Sequence, residues 1–360
     1  MKKMGKSKLI VFAIHRPYRA PNEKYRWMQY ASHIEQYFDV EYLFLINESD
    51  DKILFQSNNY LLKFWVFIKT FIKRCWQIKK MKEADVVIIY RELHWFHFPL
   101  WLKWIKNKVK KIVFDFDDAI FLNTSNVFVN IIKQPYHKTI HFIKNSDVTI
   151  AGNTYLLNFS KKYNSQSVLI PTVVDTTYFI PLHSLRHQQN KVVIGWMGSH
   201  STLSHLLNIV PVLKLIQKKY PFVEYKFVAK KMFIPELNVI CEDWNKDTEV
   251  EVLNTFDIGI MPLPNDEWSK GKCGLKLLTY LSCEIPCVAS DVGVNAEIIY
   301  KTNGGYVVSD DQQWIDRLSQ LITNEELRKQ LGKSGREGVI QHYSVEKWKS
   351  EFLKTLMLEK

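Results

Sequence analysis

Residues 256–290 read FDIGIMPLPNDEWSKGKCGLKLLTYLSCEIPCVAS. A short apolar run at 256–264 leads into a polar loop. Leu275, Leu278 and Leu281 then recur at helical spacing, and a second apolar run closes the stretch at 285–290. The two apolar runs are brief and nearly continuous, as strands covered on both faces of a parallel sheet must be. The order strand, loop, helix, strand makes the fold class α/β. The loop itself has little bulk and much positive charge. Gly271 and Gly274 let a ligand approach the backbone closely. The helix starting near Gly274 points the unpaired N–H groups of its first turn at that ligand, and its dipole favours an anion. Lys270, Lys272 and Lys276 add point charges, so the loop reads as a cradle for a diphosphate. The plainer alternative is a solvated basic loop ahead of a core helix.

Similar runs recur on both sides. LIVFAI (9–14), VEYLFLI (40–46), DVVIIY (85–90), KIVFDF (111–116), DVTIAG (147–152) and SVLIPT (167–172) form one series. VVIGWMGS (192–199), VEYKFVAK (223–230), the run at 256–264, IPCVAS (285–290) and GYVVSD (305–310) form a second. Helix-patterned stretches separate them. The chain is thus expected to hold an N-terminal α/β domain over 1–175, a linker over 176–191, a second α/β domain over 192–341 and a terminal helix over 342–360. Ligands of such sheets bind beyond the carboxyl ends of the strands, so the candidate residues should follow strands.

The 360 residues carry a formal net charge of +12, which calls for an anionic partner. The charge concentrates between Leu61 and Lys111, where thirteen Lys or Arg face three acids. Phe64, Trp65, Phe67, Phe71, Trp76, Trp95, Phe96, Phe98, Trp101 and Trp104 lie in the same segment. Basic residues interleaved with tryptophan suit an anionic membrane surface, with rings at headgroup level; ordinary helices packed on a sheet are the alternative. No apolar run reaches the ~18–20 residues of a membrane span. The N-terminal LIVFAI is followed at once by His15 and Arg16, so a first strand is expected there and no export signal. The five cysteines are scattered, form no disulfide framework or zinc knuckle, and fit a reducing cytoplasm. His137 and His141 have helical ligand spacing but no third ligand nearby. No nucleic-acid-binding signature is visible, so nucleic acid is not expected as a partner.

The block GKCGLKLLTYLSCEIPCVASDVGVNAEIIYKTNGGYVVSD (271–310) resembles the donor-site region of group 1 glycosyltransferases (family 4, GT-B fold). YREL (90–93), DFDDAIF (115–121), SDVTIAGNTYLLNFSKKYN (146–164), IPTVVDTTYF (170–179) and IGWMGSHSTLSHL (194–206) fit a bacterial branch of that family in order. The resemblance runs from about Tyr90 to Tyr343. It implies two Rossmann-like domains facing across a cleft, with the last helix crossing back to the N-terminal domain. It further implies that the C-terminal domain binds a nucleotide-sugar and the N-terminal domain the acceptor. The reaction implied is retaining transfer to a glycan or lipid-linked acceptor in surface polysaccharide or glycolipid biosynthesis. No cofactor or essential metal is implied. A peripheral place on the cytoplasmic face of the membrane follows from the same resemblance and the basic aromatic segment.

Residue by residue, the expected donor site comprises Gly198, Ser199, Lys230, Lys272, Cys273, Gly274, Leu275 and Thr279, with Lys276 stabilising charge on the leaving diphosphate. Two departures stand out. The family's paired glutamates fall on Gly271 and Thr279, and the Arg and Lys usual after the first donor-domain strand are replaced by GWMGSHSTL. A non-catalytic binding module of the same fold is therefore the alternative function. On the acceptor side, Asp117 matches the position of the family's catalytic residue and Asp118 follows it; either is expected to polarise the acceptor hydroxyl. The D-x-D pattern is also how another class of transferase holds a metal, and such carboxylates often cap a helix. Arg26, Arg91, Glu92 and Asp115 are the candidate acceptor ligands, Arg91 and Glu92 alternatively forming an ion pair with each other.

Overall fold

A computed structural model describes residues 6–16, 21–185, 191–198, 202–229, 234 and 237–358. Ser199 and Lys230 lie outside the described residues. The chain divides into two compact units, Met1–Pro171 with Lys349–Lys360, and Thr172–Trp348.

The first unit is built on a six-stranded parallel sheet of β1 (Ser7–Ala13), β2 (Phe38–Phe44), β3 (Ala84–Tyr90), β4 (Val109–Phe116), β5 (Val148–Ala151) and β6 (Ser167–Leu169). The strand order is β2-β1-β3-β4-β5-β6. Leu9 to Ala13 and Val86 to Ile89 have no exposed surface. The continuous apolar runs of the sequence are thus strands covered on both faces. The order reverses between β1 and β3, so the connections leaving these strands diverge and open a crevice at their carboxyl ends. The terminal helix Val345–Leu356 ends in this unit. Phe352 stacks on Tyr30 at 4.3 Å, and the Met357 carbonyl accepts a hydrogen bond from Lys111 Nζ at 2.6 Å.

The second unit carries β7 (Val192–Met197), β8 (Val223–Val228), β9 (Val239–Glu242), β10 (Ile258–Met261), β11 (Cys287–Ser290) and β12 (Gly305–Val308). Their order is β12-β11-β10-β7-β8-β9, with the reversal between β7 and β10. The strand β9 has no counterpart in the sequence reading. Its four residues VICE are only partly buried and too short to stand out as an apolar run. Residues 176–185 pack against this second unit. Asn254 Nδ2 donates to the Ile180 carbonyl at 2.9 Å, and Arg336 donates to the carbonyls of Phe179 and Thr176.

The helix Tyr60–Lys80 carries polar and apolar residues on both faces. Its inner face buries Thr70, Arg74 and Gln77 beside Val66 and Ile78. Arg74, fully buried, donates to the carbonyls of Ala13 (3.0 Å), Leu43 (3.1 Å) and Leu93 (2.8 Å), which close the carboxyl ends of β1, β2 and β3. Its outer face exposes Leu61, Trp65, Ile72 and Trp76, which recur at helical spacing as one stripe. Since Arg74 sits at the strand ends, the preceding turns extend beyond the carboxyl edge of the sheet. The aromatic residues of segment 61–111 therefore sort into two groups. Phe71, Phe96, Phe98 and Trp101 pack ring to ring inside. Phe64, Trp65, Trp76 and Trp104 face out.

Candidate functional site

In the N-terminal unit the site grows from the ends of β1, β3 and β4. After Tyr90 the chain turns through Arg91 at φ 57°, a left-handed conformation that a bulky residue rarely takes. The Arg91 N–H bonds the Asp115 carbonyl at 2.8 Å and fixes this turn. The turn brings the guanidinium to the acidic cluster. Arg91 Nε donates to Asp117 Oδ1 at 2.6 Å and Nη2 donates to Asp118 Oδ2. Tyr90 adds its hydroxyl to Asp117 Oδ1 at 2.9 Å. Burial pushes the Asp117 carboxyl up, but Arg91, then Arg26 and the hydrogen bonds from Arg91 and Tyr90, outweigh it and hold the group below the usual carboxylate range. Asp117 is therefore an ion-paired acceptor of hydrogen bonds and a weak base.

The other acceptor candidates take internal roles. Arg26 and Asp115 are 2% and 0% exposed. Arg26 grips Asp115 with two nitrogens (2.5 and 3.3 Å) and bonds the Ile170 carbonyl at 2.8 Å, tying β4 to the exit of β6. Such a bidentate pair is strong in a dry interior. Burial pushes the Asp115 carboxyl up against the pull of Arg26. Glu92 does not pair with Arg91. Lys138 takes it instead and also bonds the Trp95 carbonyl at 3.1 Å. No helix starts on Asp117 or Asp118; the next begins at Val127. Among the described residues, no three His, Cys, Asp or Glu side chains gather as a metal site.

In the C-terminal unit the cradle loop lies between β10 and the helix Leu275–Ser282. Asp266 caps the one-turn helix Glu267–Lys270 by accepting from the Ser269 N–H at 2.7 Å. Gly274, at φ 69°, then reverses the chain into Leu275–Ser282. A side chain at Gly274 would meet Ile298 at 2.2 Å, so glycine is required on both counts. The same helix holds β7 in place, since Tyr280 Oη accepts the Met197 N–H at 2.8 Å. A Cβ at Gly198, just past β7, would fall 2.2 Å from the Trp196 ring, so the backbone there runs against that ring. Lys276 places its Nζ 4.7 Å from the centroid of Trp196, and Lys272 sits at 4.7 Å over Trp268. Burial, and then the like charge of Lys272, push the Lys276 ammonium down to about 7. Two ammonium groups thus stand near one helix start, a setting in which an anion is favoured.

Gly198, Lys272, Cys273, Gly274, Leu275 and Lys276 therefore share one end of one sheet. Thr279 is nearly buried, and its hydroxyl donates to the Lys276 carbonyl at 2.9 Å. A residue that sequence reasoning passed over joins them. His205, on the helix Leu203–Leu207, has a buried Nδ1 without a hydrogen-bond partner. Burial, then Lys276 and Lys272, hold its ring below the usual histidine range. Its signal was present in STLSHL, but a histidine on an apolar helix face looks like any core residue.

Comparison with known proteins bears on this geometry. Residues 203–324 match the family model described as Glycosyl transferases group 1. The N-acetyl-alpha-D-glucosaminyl L-malate synthase of Bacillus anthracis is 34% identical over 109 residues, which is 30% of this chain and 27% of that protein. The poly(ribitol-phosphate) alpha-N-acetylglucosaminyltransferase of Staphylococcus aureus (strain COL) is 20% identical over 201 residues, 51% of this chain and 40% of that one. The chain thus matches well under half the length of these relatives. Sucrose-phosphate synthase from Thermosynechococcus elongatus superposes with a TM-score of 0.69 at 11% identity, covering 97% of this chain and 98% of that one. A TarM variant of S. aureus, in complex with fondaparinux, alpha-GlcNAc-glycerol and UDP, superposes with a TM-score of 0.62 at 15% identity over 80% and 59% of the two chains. Residues 203–324 are similar to the group 1 glycosyl transferases, and the two α/β units of the chain have the GT-B fold.

Proposed function

We propose that the protein is a retaining glycosyltransferase. Its C-terminal unit takes a nucleotide-sugar, and its N-terminal unit takes a glycan or lipid-linked acceptor for a surface polysaccharide or glycolipid. The observation that carries this reading is the coincidence of the family match with the cradle: Lys272, Gly274 and Lys276 fall within residues 203–324 and line one helix start. In the reaction, the bond from the anomeric carbon to the diphosphate breaks and the acceptor oxygen bonds the same face. The acceptor proton passes to the departing diphosphate. Lys276, Lys272 and the first-turn N–H groups stabilise the charge that grows there. Neither a metal nor a cofactor has a part in this scheme; the acidic cluster is held by Arg91 and Arg26, and lysines serve the diphosphate. The names of the relatives make UDP-N-acetylglucosamine the first donor to try.

The outward stripe of the helix Tyr60–Lys80 supports a peripheral place on the cytoplasmic membrane face. That helix has six basic residues and no acid. Among the described residues, no helix is long and apolar enough to cross a membrane. One observation favours a second reading, a non-catalytic module. Gly271 ends a helical turn and the Thr279 hydroxyl is turned to Lys276, so neither position offers a carboxylate to a sugar. Calorimetry and turnover assays with UDP-, GDP-, ADP- and dTDP-sugars separate the two. Selective binding with product formation supports transfer; binding without turnover on any acceptor supports the module.

A further inference from the structure

The acidic cluster of the N-terminal unit holds a further carboxyl group that the scheme above does not use. Glu23 lies on the connection leaving β1, in the short helix Pro21–Lys24, and is 1% exposed. Its Oε1 accepts the His15 N–H at 3.0 Å. Its Oε2 is buried and has no hydrogen-bond partner. The charged side chains acting on it are Arg91, from the end of β3, and Asp117, from just beyond β4. Arg91 makes no hydrogen bond to it; its Nε and Nη2 are given to Asp117 and Asp118.

A carboxylate buried without a bonded cation is costly, and such a group keeps its proton instead. Burial pushes Glu23 up to about 8; the His15 N–H and then Arg91 pull it down, and Asp117 pushes it up again. At neutral pH the cluster therefore holds Asp117, Asp118, Arg91 and a neutral Glu23. Arg91 retains some exposure and is the cationic member of this group. When Glu23 ionises, its free oxygen becomes a third carboxylate competing for the same guanidinium. The side chains involved leave the ends of β1, β3 and β4, around the point where the strand order reverses and ligands of such sheets bind.

We propose that Glu23 is a positioning residue of the acceptor site, a proton-held switch that sets where Arg91 points. This rests on the reading that the N-terminal unit takes the acceptor. Neutral Glu23 leaves Arg91 on Asp117 and Asp118, facing the acceptor. Ionised Glu23 draws the guanidinium inward to Oε2 and withdraws it from the acceptor.

The test is steady-state transfer from UDP-N-acetylglucosamine, or the donor that calorimetry selects, between pH 6 and 9.5. Methyl glycosides and ribitol-phosphate oligomers serve as acceptors. Wild type is expected to raise its acceptor KM, measured at saturating donor, about tenfold from pH 7 to 9; the loss of donor affinity as Lys276 deprotonates is shared equally by wild type and Glu23→Gln. Glu23→Gln has the shape of the neutral form and no proton to lose, so its acceptor KM stays flat over that range. The same rise in Glu23→Gln, or no rise in wild type, overturns the switch. Infrared difference spectroscopy on wild type separates this from failure of the transferase reading. A protonated-carboxyl band present at pH 7, lost by pH 9 and missing in Glu23→Gln supports the switch even if no donor is turned over. Its absence at pH 7 overturns the switch whatever the activity.

Discussion

Arg91 bonds Asp117 through Nε at 2.6 Å from a left-handed backbone position, so one strained residue at the end of β3 clasps the loop that follows β4. The clasp binds two neighbouring strand ends and sets the shape of the crevice between them. Removing one partner of such a buried pair strands the other charge, at about 3–5 kcal/mol. Asp117→Ala is therefore expected to lower unfolding stability by about 3 kcal/mol, and Asp118→Ala by less, because Asp117, which also accepts from the Tyr90 hydroxyl, then stays on Arg91. Urea unfolding of both variants checks the order. Equal effects would show that the two carboxylates share the guanidinium evenly.

Lys276 is the second focus. Its ammonium sits over Trp196 with Lys272 nearby, and its proton is half lost at about pH 7. A diphosphate favours the charged form, so binding should take up a proton near pH 7.5 and weaken as pH rises above 7. Calorimetry of UDP in buffers of different ionisation enthalpy reads this uptake directly. Lys276→Ala is expected to lose about tenfold in affinity, roughly 1.4 kcal/mol, together with the proton uptake. Lys276→Arg should bind without pH dependence across this range, because a guanidinium does not titrate there.

Glu23 has a stability consequence separate from its effect on acceptor binding. Its folded-state value of about 8 lies above the ordinary 4.5. Between these, the folded protein holds a proton that the unfolded chain has released, so the contribution of Glu23 to stability falls as pH rises and levels off above 8. Glu23→Gln lacks this loss. Its melting temperature should match wild type near pH 4.5 and exceed it at pH 8.5. A difference that does not depend on pH would show that Glu23 is not protonated in the folded state.

The sequence made the two sheets legible because buried parallel strands are continuous apolar runs, and eleven of the twelve strands overlap such runs. The strand β9 was hidden by its brevity and partial exposure. The start of the helix Leu275–Ser282 was legible because Gly274 and the leucine spacing mark it. The surroundings of the acidic cluster after β4 were less so. Arg26 and Asp115 look like ligands in the sequence, and nothing local announces that residues 89 positions apart will seal each other in the core. Glu23 and His205 carried no motif. Their character comes from burial and from charges elsewhere in the chain, which a linear reading does not contain.

The helix Tyr60–Lys80 yields the last prediction. Its buried Arg74 and Gln77 bond strand-end carbonyls, while Trp65, Ile72 and Trp76 face outward. An apolar stripe exposed among lysines costs nothing in folding stability to alter, and it suits an anionic bilayer surface. Trp65→Ser with Trp76→Ser should therefore leave urea unfolding within about 0.5 kcal/mol of wild type, yet abolish flotation with phosphatidylglycerol vesicles. Flotation of wild type should weaken with salt and be absent with phosphatidylcholine alone. If the double variant floats as wild type does, the stripe is not the membrane contact. If wild type dimerises through this face in solution and the variant does not, a second copy rather than a bilayer covers it.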